Sequence, residues 1–137
     1  MLDQIRQNFA LRPHWMNAIM LFCFYMTFLY LPWDIFIKPL AVDQEVWFGV
    51  IFYGWLAKLG ALLHWLIYGA GTFGLWKMKS WLHPWIEIYI CQIAFSMGIW
   101  GIIAEEDAPA WIGLMIGGIF MILAWCFYQK RGLFINS

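Results

Sequence analysis

The sequence predicts an all-α polytopic integral membrane protein. Four transmembrane helices form a bundle, with an interfacial amphipathic helix or helix extension ahead of the second span. Three observations carry this reading. Of the 137 residues, 64% are hydrophobic and only 12% charged, against about 45–50% and about 25% in soluble domains. A chain this short could not hide so much apolar surface in a soluble core. Four apolar stretches approach the roughly 20 residues that cross a bilayer as a helix. The charges separate onto two sides once those stretches are laid out as spans. The whole chain, 1–137, reads as one transmembrane domain, and its zero net charge excludes nucleic acid as a partner.

The first span is expected over 13–31, with Pro13 in its first turn and Pro32 closing it. Its apolar run is too long for a signal peptide and lacks a small-residue cleavage site. The second lies inside an apolar stretch from 46 to 76 interrupted only by Lys58. One helix of that length would run about 46 Å, well beyond the hydrocarbon layer. A split follows: 59–76 spans, Lys58 sits in water at the membrane surface, and 46–57 lies in the interface or extends the helix. The third span covers 84–103, with Pro84 in its first turn. The fourth covers 109–128 and carries no charge.

Topology follows from the basic residues. Arg6 and Arg12 precede the first span, Lys77 and Lys79 follow the second, and Lys130 and Arg131 follow the fourth. The opposite side collects Asp34, Asp43, Glu45, Glu105, Glu106 and Asp107, with Lys38 and Lys58 opposing. The positive-inside rule then places both termini in the cytoplasm, the membrane being read as a bacterial inner membrane. Most of the 11 tryptophans fall near span ends, where an indole joins apolar rings to one N–H at the headgroup boundary. Trp65 is the exception inside a span. Cys23, Cys91 and Cys126 lie within spans at different depths, which argues against a disulfide framework.

Gly69, Gly71 and Gly74 fit G-x-G-x-x-G, but inside an apolar span rather than between a strand and a helix, so nucleotide binding is rejected. With Ala94 and Gly98, and Gly113 and Gly117, they read instead as small-residue helix-packing faces. His64, about 9 Å below the outer boundary, is the candidate cofactor residue. A hydroxyl partner is the plain reading; with Trp65 beside it and Gly60 making room, an axial ligand to haem or a pigment is the sharper one, and the aromatic grooves could serve a quinone. At the cytoplasmic edge His14, His83 and Glu87 make a candidate metal set, since two imidazoles and a carboxylate suit a divalent transition metal. Glu87 could equally carry a proton or simply pair with His83 or Lys79. Gln92 and Ser96, one turn apart, are expected to bond Asn17 or Thr72 across helices.

No catalytic set stands out. The leading expectation is an accessory or structural subunit of a larger membrane complex, packed against lipid and other transmembrane subunits or its own copies. A haem, pigment or quinone protein built on His64 is one alternative. A small carrier or membrane enzyme using Glu87, His83 and His14 is the other.

Overall fold

The computed structural model describes residues 2–103 and 109–135. It is mostly helical: α1 (Leu2–Ala10), α2 (His14–Tyr25), a π turn (Met26–Tyr30), α3 (Leu31–Phe36), α4 (Trp55–Lys77), α5 (Leu82–Ile103) and α6 (Ala110–Gln129). An antiparallel hairpin, β1 (Gln44–Trp47) and β2 (Val50–Tyr53), precedes α4. Three helices are long and apolar enough to cross a membrane: the continuous His14–Phe36 helix, α5 and α6. The expectation of four spans is therefore met for three. α4 has the length, at 23 residues, but Lys58, His64 and several glycines dilute its apolar character.

Two boundaries differ from the sequence expectation for identifiable reasons. Pro32 does not close the first span, because the π turn ahead of it accommodates the missing N–H. The Leu31 N–H bonds the Met26 carbonyl five residues back. The next carbonyl, Thr27, faces Pro32, which has no proton to give. The indole of Trp65 fills that vacancy, its Nε1 donating to Thr27 O at 2.7 Å. Residues 46–57, expected as an interfacial helix or extension, are mainly a hairpin, and the helix begins only at Trp55. Val46, Trp47, Val50, Ile51, Phe52 and Tyr53 are β-branched or aromatic, which suits a pleated surface. The two-residue turn puts Phe48 and Gly49 at positive φ, as a type I′ turn requires.

The first span, α4, α5 and α6 share two common ends. At the basic end, Met16, Leu75, Leu82, Ile90 and Phe127 meet in the main buried cluster, and Trp15 packs edge-on against Phe127 at 4.9 Å between ring centres. At the other end the hairpin wedges between helices. Trp47 lies over Gly60 of α4, where a Cβ would stand 2.6 Å from the indole nitrogen, and the Gly49 turn presses on Ile99 of α5.

Candidate functional site

His64 lies nine residues into α4, and β1 reaches it from the side. Glu45 Oε1 pairs with the imidazole Nδ1, and the Trp47 ring stacks on the imidazole at 4.1 Å with an interplanar angle of 13°. Tyr68 and Tyr89 flank it at 6.2 and 6.1 Å. The plain reading expected a neighbouring hydroxyl as its partner; the partner is a carboxylate from the hairpin. The room that Gly60 leaves is real, but Trp47 occupies it. These residues do not fit a macrocycle, because the chain's own side chains fill the slot and crowd the ring. Trp65 does not join them. Its indole is committed to Thr27 of the π turn, with Phe36 packed edge-on at 6.3 Å.

Above His64 the connection between the first span and α4 folds onto a buried ion cluster. Lys38 Nζ lies 2.9 Å from Asp34 Oδ1 and 2.8 Å from Asp43 Oδ1, and Lys58 Nζ lies 3.0 Å from Asp43 Oδ2. Lys58 also donates to the backbone carbonyls of Asp34, in the last turn of the first span, and of Lys38 just beyond it. Both carboxylates are 1% exposed. Lys58 is therefore not free in water as expected from the sequence; it is largely covered, and Asp43 is its partner. Burial opposes the charge on Lys38, yet the hydrogen bonds and charges of Asp43 and Asp34 hold its pKa above the usual lysine range. Burial likewise opposes the Asp43 charge, and the two lysines overcome it and hold the carboxyl below its usual value. The acidic run Glu105, Glu106 and Asp107, expected on this side, falls outside the described residues.

The basic end carries a second pair. His83 has an extended backbone before Pro84, which leaves its Nδ1 2.7 Å from Glu87 Oε1. His14 is exposed, and no three His, Cys, Asp or Glu side chains among the described residues gather as a metal set. The expected trio is thus a pair, because Pro13 starts α2 with His14 pointing outward. Glu87 is nine-tenths buried and its Oε2 has no hydrogen-bond partner. The nearby helix N-terminus favours a carboxylate by about 0.3–1 kcal/mol.

Sequence reasoning missed Arg12. It is 5% exposed and donates to Asn17 Oδ1 at 2.7 Å, Leu75 O at 2.8 Å and Asn8 Oδ1 at 2.6 Å. Asn8 in turn donates to Trp76 O at 3.0 Å, and Asn17 to Phe9 O at 2.9 Å. The guanidinium thus sits on the carbonyl end of α4, where the helix dipole favours a cation, and burial lowers its pKa. The flanking asparagines four before and five after Arg12 were the available signal. Asn17 is therefore not bonded to span three. Gln92 donates to Ser96 at 2.9 Å within α5, while Thr72 donates to Tyr68 O and meets the Thr27 hydroxyl at 3.4 Å.

The small residues divide by helix pair. A Cβ on Gly113 would stand 2.6 Å from Met97 O, and one on Gly117 2.8 Å from Ala94 O, so α5 and α6 touch backbone to backbone, with Gly98 near Leu114. Gly101, not singled out from the sequence, completes that contact. Gly69 and Gly71 face Thr27 and Cys23 at ordinary contact distances, and Gly74 faces Leu82. An apolar groove of about 310 Å³ opens beside Ala94, Gly98 and Gly117, between Cys91 and Met121. Comparison with protein-family models, with curated proteins and with solved structures finds no match for the chain.

Proposed function

We propose that the chain is a small accessory or structural subunit of a larger membrane complex. α4 serves as a fourth span beside the three apolar helices, and both termini lie on the cytoplasmic side of a bacterial inner membrane. One observation carries the reading: the ionised side chains that the fold covers are paired within the chain itself, although Glu87 keeps its Oε2 unbonded. Lys38 and Lys58 take Asp34 and Asp43, Glu45 takes His64, His83 takes Glu87, and Arg12 takes carbonyl and amide oxygens. Such groups lock a scaffold. A reaction centre keeps donors and acceptors open toward a substrate, commonly in a concave pocket with a few convergent polar groups. The outward faces that remain, such as Trp111, Leu114, Met115, Ile119 and Ile122 on α6, are exposed and apolar, suited to lipid and to neighbouring helices.

Gentle extraction into nanodiscs followed by native mass measurement tests this. A stable complex with other membrane subunits, or a defined homo-oligomer, is expected. A monodisperse monomer with nothing co-purifying overturns it.

A further inference from the structure

The basic end is built differently from the rest of the chain, and α1 shows what it meets. α1 is amphipathic: Leu2, Ile5 and Phe9 recur on one side with Arg6 bordering them, while Asp3, Gln4, Gln7 and Asn8 fill the other. Phe9 rests edge-on against Trp76 at 6.3 Å, and Asn8 bonds the Trp76 carbonyl. Those contacts hold α1 level with the last turn of α4, and only three residues separate it from the first span. Exposed Trp81, Trp85, Trp125 and Tyr128 ring the same end, the residues that favour the headgroup boundary. Leu2 is 79% exposed and Ile5 40%, so the apolar side of α1 projects past the protein at that level.

Charge selects the occupant. Arg6, Lys77, Lys79, Lys130 and Arg131 share this end, and Asp3 is the acid beside them outside the membrane helices among the described residues. Arg131 is held in place: its guanidinium lies over the Tyr128 ring at 4.1 Å and donates to the Tyr128 carbonyl at 2.8 Å. Cations placed one turn beyond an aromatic belt stand at the level of lipid phosphates.

We propose that α1 and the basic residues around it form a docking surface for anionic phospholipid, with α1 lying in the membrane plane and Leu2 and Ile5 in the acyl boundary. This rests on the membrane reading but not on the subunit proposal, so the two fail separately. The test uses the full chain in nanodiscs of phosphatidylcholine alone or mixed with phosphatidylglycerol. It reads retained lipid by native mass spectrometry and hydrogen exchange of the 2–10 amides.

Preferential retention of phosphatidylglycerol is expected, falling about fivefold for each charge removed in Arg6→Gln, Lys130→Gln and Arg131→Gln and weakening with salt. The 2–10 amides gain protection in anionic discs, and Leu2→Ser with Ile5→Ser abolishes that gain. These surface variants keep the melting temperature of the parent, which separates loss of docking from loss of fold. Equal retention of both lipids, unchanged retention in the triple variant, or protection that appears only with an acidic partner protein overturns the proposal.

Discussion

The two ends of this molecule treat charge in opposite ways. At the hairpin end Asp34, Lys38, Asp43 and Lys58 are drawn out of water and spent on one another. At the basic end Arg6, Lys130 and Arg131 stay exposed, and the deeply buried cation among the described residues there, Arg12, has neutral oxygens and the Met20 sulfur as its hydrogen-bond partners. The difference teaches what each end has to do. A connection lacking regular helix must be closed by something, and a buried ion cluster closes it. Helix ends already offer carbonyl oxygens to a cation, and the remaining positive charge is left for the surroundings.

The comparison breaks most readily at Asp43. Asp43→Asn removes the buried charge that Lys38 and Lys58 share, and breaking a buried pair from one side costs about 3–5 kcal/mol. Chemical or thermal unfolding in nanodiscs should show that loss, with little relief from salt. pH sharpens the same point. Asp43 titrates below its unfolded value of 3.8, so its contribution is present above about pH 4 and is lost as pH falls through the folded value. Lys38 titrates above its unfolded value of 10.5, so its contribution is present below that pH and is lost as pH rises through the folded value. Stability should hold level between these limits, and Asp43→Asn should flatten the acid limb.

Arg12→Gln comes next. It strands the Leu75 carbonyl but leaves no opposite charge unpaired, so about 2–3 kcal/mol is expected, less than for Asp43. Equal losses at the two sites would erase the distinction between the ends. Trp65→Phe keeps the ring and removes one hydrogen bond to Thr27, for about 1–2 kcal/mol. Arg6→Gln, at an exposed position, should change stability by less than about 0.5 kcal/mol in neutral lipid.

Much of this was legible beforehand. Apolar length alone located α5 and α6 and most of the first span, and the segregation of basic from acidic residues located the two ends. The hairpin was not, because a continuous apolar run such as 46–57 has no periodicity to separate strand from helix. Gly49 and Gly54, bracketing a run of Val, Ile, Phe and Tyr, were the local signal. The His64 site stayed hidden for the same reason. Its partners Glu45 and Trp47 arrive from a strand, and no count along α4 brings them near. Pro32 reads as a stop because a proline ordinarily ends a helix, whereas here a distant indole answers the carbonyl that the proline leaves unpaired.

That last feature makes the first helix and α4 depend on each other. A carbonyl facing a proline is costly where water is excluded, and the donor that answers Thr27 sits in the middle of α4, 38 residues further along the chain. One contact thus completes two helices at once. A change that shifts Trp65 is felt in the first helix as well as in its own.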